Sequence, residues 1–67
     1  MYFDYKKANI LVLRSKKSIT QIVKESGLSQ RTVYTLLNNS YNHDPKISTV
    51  SALAKVLGAN FMELLSE

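Results

Sequence analysis

Apolar residues along this chain recur at helical spacing, and strand-like alternation of polar and apolar positions is absent. Ala8, Leu11 and Val12, with Tyr5, give one buried face to a first helix running from about Asp4, its cap, to Lys16. Arg14, Lys16 and Lys17 lie at its C-terminal end, where cations favour the negative pole of the helix dipole. A second helix starts at Ser18, with Ser18 and Gln21 in the S-x-x-Q spacing of a capping box, and ends before Gly27. Ile19, Ile22 and Val23 form its apolar face. A third starts at Ser29, places Val33, Leu36 and Leu37 at the same spacing, and stops at Asn38-Asn39-Ser40. After a polar loop over residues 40–46, a fourth runs from Ser48 or Thr49 to Leu57, burying Val50, Leu53, Ala54 and Leu57 before Gly58. Asn60 and Glu63 predict a second box opening a short fifth helix, with Phe61, Leu64 and Leu65 packed back on the core. The expected core is Leu11, Val12, Ile22, Val23, Leu28, Val33, Leu36, Leu37, Val50, Leu53, Ala54, Leu57, Phe61 and Leu64, covered by Tyr2, Phe3, Tyr41 and Met62.

Composition narrows the class. At 67 residues, 45% hydrophobic and 21% charged, the chain is too apolar for a disordered tail and has material for one small core. With no cysteine, disulfides and cysteine-based zinc sites are excluded, and a lone His43 in the loop cannot complete a metal site. The longest aliphatic run, Ile10 to Leu13, is far short of the roughly 20 residues of a membrane span. The expectation is a soluble protein of the cytoplasm, with no membrane and no cofactor. The net charge of +4 is unevenly placed: residues 1–34 carry +5 and residues 35–67 carry −1. Such asymmetry suits a polyanion. Lys6, Lys7 and Lys24 read as solvated.

The second and third helices are joined by only Gly27, Leu28 and Ser29. Two short helices across a three-residue glycine turn form a helix-turn-helix, whose second helix enters the major groove. Val23, Gly27, Leu28 and Val33 supply the branched crossing residue, the left-handed turn, the buried turn residue and the branched residue of the second helix. Here the chain resembles the phage Cro and repressor type of helix-turn-helix domain, the XRE family. The segment from Pro45 to Gly58 is similar to that family's fourth helix, and Asn60 to Leu65 to its fifth. The resemblance covers about residues 5 to 65. It implies an all-α, five-helix, lambda-repressor-like fold filling residues 1–67 as a single domain. Ile19 stands where many members have a phosphate-reaching Gln, although Thr20-Gln21 imitates their Leu-Thr-Gln start. Val12 and Leu37 stand where some members pair an Arg with a Glu, so an apolar contact replaces an ion pair.

At about 100° per residue, Val33, Leu36 and Leu37 centre the buried face of the third helix, and Arg31, Thr35 and Asn38 fall within roughly 30° of the opposite side. Tyr34 is on the flank, and Gln30 opens the helix. Arg31 suits guanine, Gln30 adenine, and Thr35 a thymine methyl or one hydrogen bond. The resemblance likewise implies base reading at Gln30, Arg31 and Thr35. Tyr34 is a further base or phosphate contact, and Lys17, Ser18, Ser29, Asn38, Asn39 and Lys46 are expected at phosphates. The resulting expectation is a sequence-specific regulator of double-stranded DNA, a repressor of a phage or mobile element, acting at the nucleoid. One recognition helix reads too few base pairs to select a site, so a homodimer on a palindromic operator is expected. Relatives of this type pair through the segment corresponding to Tyr41–Ile47 and the corner near Ala59, and the free form can be a monomer. The competing reading is a protein-interaction module, an antitoxin or anti-repressor, which calls for exposed Leu, Phe or Met on the third helix. An enzyme is disfavoured, because five scattered acids and one histidine provide neither paired carboxylates nor a nucleophile beside a base.

Overall fold

The computed structural model describes residues 2–38 and 45–67. Among these residues, four α-helices, α1 (Tyr5–Ser15), α2 (Ile19–Ser26), α3 (Gln30–Leu37) and α4 (Ile47–Val56), precede a 3₁₀ turn over Phe61–Leu64. Two short strands, β1 (Tyr2–Phe3) and β2 (Leu65–Ser66), pair antiparallel, with Tyr2 opposite Ser66 and Phe3 opposite Leu65.

Polar side chains set most helix starts. The Asp4 carboxylate accepts from the backbone N–H groups of Lys6 and Lys7, the Ser18 hydroxyl from that of Gln21, and the Ser29 hydroxyl from that of Thr32. Each satisfies an N–H that the helix itself leaves without a partner. The box expected at Ser18 forms only in this direction, because the Gln21 amide donates instead to Glu25 Oε2 at 2.7 Å. Helix α4 starts earlier than the hydroxyls of Ser48 or Thr49 suggest. Lys46 takes the cap position with no side-chain cap bond. At the other ends, Gly27 closes α2 with φ at 75°, and Lys16 closes α1 with φ at 58°. A Cβ at Gly27 would touch nothing within 4 Å, so the turn calls for glycine through its left-handed backbone alone.

The fifth helix expected from the sequence is a single 3₁₀ turn. Its box forms as expected: the Met62 N–H donates to Asn60 Oδ1, and the Asn60 N–H donates to Glu63 Oε2. The chain then leaves helical geometry at Leu65 because it pairs with β1. The Asp4 N–H donates to the Leu64 carbonyl at 2.8 Å, the Ser66 hydroxyl to Asp4 Oδ2 at 2.7 Å, and the Lys7 ammonium to the Leu65 carbonyl at 2.8 Å. Extending the helix would break this closure. The Ser66 hydroxyl is also the leading cause holding the Asp4 carboxyl below its ordinary value, with the Lys7 and Lys6 N–H groups adding to it.

The core lies between the helices. Of the residues expected there, Ile22, Val33, Leu36, Leu37, Val50, Leu53, Ala54 and Leu64 are buried, and Leu11, Val12, Val23, Leu28, Leu57 and Phe61 pack half-buried against them. Phe3, Ala8 and Val56 complete the buried set among the described residues. Ala8, rather than Leu11 or Val12, is the buried residue of α1, its small side chain occupying the most enclosed position on that helix. Val12 and Leu37 share this apolar core where an ion pair stands in some relatives. Close by, the Asn9 amide ties α1 to α3 by donating to the Leu37 carbonyl at 2.9 Å.

Candidate nucleic-acid interface

The turn between α2 and α3 is braced from within. The Ser26 hydroxyl accepts from the Leu28 N–H, and the Gly27 N–H donates to the Val23 carbonyl. Leu28 is half-buried and Val33 fully buried, so α3 is seated by its inner side against the core. Its outer side presents Gln30, Arg31, Tyr34 and Asn38 to solvent, with Thr35 half-buried beside them. No Leu, Phe or Met of α3 is exposed.

Beside this face runs an open groove of about 450 Å³ between α3 and the start of α4, lined by Arg31, Thr32, Thr35, Leu36, Pro45, Lys46 and Thr49. It brings together three residues singled out from the sequence: Arg31, Thr35 and Lys46. Among the described residues, two cations and three hydroxyls line it and no carboxylate does. Thr32 and Thr49 were missed in the sequence. Thr49 reaches the groove only through the packing of α4 beside α3, which no local pattern announces. The Ser29 hydroxyl is engaged in capping, bonded to the Thr32 N–H and to Thr32 Oγ1. Ser18 is exposed at the start of α2, accepting from Gln21 and keeping its hydroxyl proton for donation. Asn39, like His43 and most of the Tyr41–Ile47 segment, lies outside the described residues.

Lys17 takes a different place from the one expected. Its ammonium donates to Glu25 Oε1 and to the Val56 carbonyl, both at 2.7 Å, and so clamps the start of α2 to its own end and to the end of α4. The phosphate contact expected of Lys17 competes with this inward tether, which engages its ammonium in the structure. This bond, followed by the one from Gln21, holds the Glu25 carboxyl below its ordinary value. A depressed folded-state value contributes stability above the ordinary glutamate range, and that contribution is lost as the pH falls through the folded-state value. Lys17→Ala is therefore expected to lower the thermal midpoint at neutral pH, with the gap to the parent narrowing on acidification. Its DNA affinity should keep the parent's salt slope, and a shallower slope would return Lys17 to the phosphates.

Two short helices crossing at a left-handed glycine, the second with a polar outer face and a cationic groove at its side, define a helix-turn-helix DNA-binding domain. The family model of the Cro/C1-type helix-turn-helix DNA-binding domain matches residues 8–66, and the chain belongs to that family. This makes it a DNA-binding regulator. No curated protein and no solved structure gives a significant match. No helix among the described residues is long and apolar enough to cross a membrane, and no group of His, Cys, Asp or Glu among them is placed to hold a metal.

Proposed function

We propose that this protein is a sequence-specific regulator that lays α3 in the major groove of its operator. The observation that carries the reading is the outer face of α3, polar throughout apart from the Tyr34 ring and continuous with the cationic groove at Arg31 and Lys46. Gln30 and Arg31 read adenine and guanine, Thr35 a thymine methyl, and Tyr34 a neighbouring base or phosphate. Ser18, Ser29, Asn38, Asn39 and Lys46 contact phosphates and set the register. The missing Leu, Phe and Met on this face favour DNA over a protein-interaction module. Residues 1–67 act as one unit of this kind at the nucleoid. In the manner of the phage and mobile-element repressors it resembles, the protein blocks other proteins by occupying its site.

On the operator it works as a two-fold dimer. Support comes from an apolar groove of about 280 Å³ lined by Tyr2, Phe3, Pro45, Ile47, Val50, Phe61 and Leu65. Of its lining, Ile47 is 71% exposed and Tyr2 is also exposed. Apolar residues at such exposure gain by covering one another across a symmetry axis. Sedimentation with a palindromic duplex tests both parts. The parent is expected at two chains per duplex, and Ile47→Glu at one, with weaker binding. One parent chain on a full-length site would overturn the dimer, and equal binding to unrelated duplexes would overturn the specificity.

A further inference from the structure

Helix α1 turns Ala8, Leu11 and Val12 inward, yet its outer side is not the polar face an exposed helix normally presents. Lys6, Ile10 and Leu13 recur there at i, i+4 and i+7, with Arg14 alongside. Ile10 is 50% exposed and Leu13 is 79% exposed. Next to them Lys7, Ile10, Leu11, Arg14 and Glu63 line a notch of about 260 Å³ against the 3₁₀ turn. The charge around this stripe is mostly positive, with Glu63 its one carboxylate in the notch. Helix α1 contains no acid, Asp4 is engaged at its cap and Glu63 at Asn60. Lys7 is bonded to Leu65, but among the described residues the side chains of Lys6, Arg14 and Lys16 make no hydrogen bond or ion pair.

We propose that the outer face of α1 docks an acidic, leucine-bearing helix of a partner protein. The two aliphatic side chains anchor it in the manner of helix-in-groove recognition, and the surrounding lysines and arginine select its glutamates and aspartates. Charge disfavours a second copy of this chain, because a two-fold contact would bring the cations Lys6, Arg14 and Lys16 of one copy up to the same cationic face of the other. A bilayer surface fits less well: it calls for a broad apolar face with aromatic anchors, whereas this stripe has two aliphatic residues and its helix is held by the core. The notch shares no residue with the groove between α3 and α4, so the partner and DNA can be held together.

The test titrates the ¹⁵N-labelled full chain with a designed helical peptide carrying leucines at i, i+4 and i+7 flanked by glutamates. A version with lysines for the glutamates, and phosphatidylglycerol vesicles, form separate arms. Expected are saturable amide shifts over residues 6–16 and the 3₁₀ turn, no binding of the lysine version, and weaker affinity by roughly tenfold or more in Ile10→Ser/Leu13→Ser. Both substituted residues are exposed, and unchanged circular dichroism with unchanged DNA binding shows that the variant remains folded. The proposal is overturned if the peptide fails to saturate, if the double variant binds it as well as the parent does, or if the shifts centre on Gln30–Thr35 and Lys46, which would make the peptide a DNA mimic. Binding to the vesicles without binding to the peptide would replace it with a membrane contact.

Discussion

Leu53→Ala is expected to cost about 2 to 5 kcal/mol of folding stability, the range for truncating a large buried aliphatic side chain. Leu53 is fully buried on α4, a helix that packs against α2 and the 3₁₀ turn. Chains of this size draw only about 3 to 5 kcal/mol from a single core, so one cavity here removes most of the margin. Urea unfolding followed by circular dichroism should show the variant partly unfolded before denaturant is added. The control is Leu13→Ala, whose side chain is 79% exposed and whose change should stay within about 0.5 kcal/mol. Similar losses at the two positions would contradict the packing described for α4.

Arg31→Ala is expected to cost roughly 1 to 3 kcal/mol on the specific operator while changing non-specific binding much less. The reason is positional: Arg31 is exposed in the first turn of α3 and lines the groove beside it, so its fork of donors is available to a guanine edge. Lys46 supplies the contrast. Lying across the groove as a point charge, it should weaken all duplexes alike when replaced by alanine, and lower the salt slope by about one. Competition titrations at two salt concentrations separate the two effects. Uniform weakening by Arg31→Ala would move that residue from base reading to phosphate binding.

How much of this was legible depended on how local each signal is. Ser18, Gly27 and Ser29 mark the ends of α2 and the start of α3 by chemistry within a few residues, and those boundaries fall where the spacing put them. Val33, Leu36 and Leu37 likewise define the inner side of α3, and with it the outer side, by periodicity alone. The closure of Tyr2–Phe3 on Leu65–Ser66 was illegible, since strands of two residues have no alternation to read and their partner is at the other end of the chain. That closure is also why the fifth helix stops after one turn. Lys17 shows the same limit: its sequence neighbours are cationic and suggest a phosphate, but nothing near it in the sequence announces its bond to the Val56 carbonyl, 39 positions away. The place of Thr49 in the groove, and the pairing of Ile10 and Leu13 as an uncovered stripe, likewise emerge only once the helices are packed.

The central claim is that α3 reads a defined duplex sequence in two symmetric copies. It is tested most directly by selecting ligands from random double-stranded DNA with the parent and with Arg31→Ala in parallel. The parent is expected to enrich a palindrome with half-sites about one helical turn apart, and the variant to lose a guanine preference at one position in each half. No enrichment by the parent, or the same motif from both proteins, would contradict it.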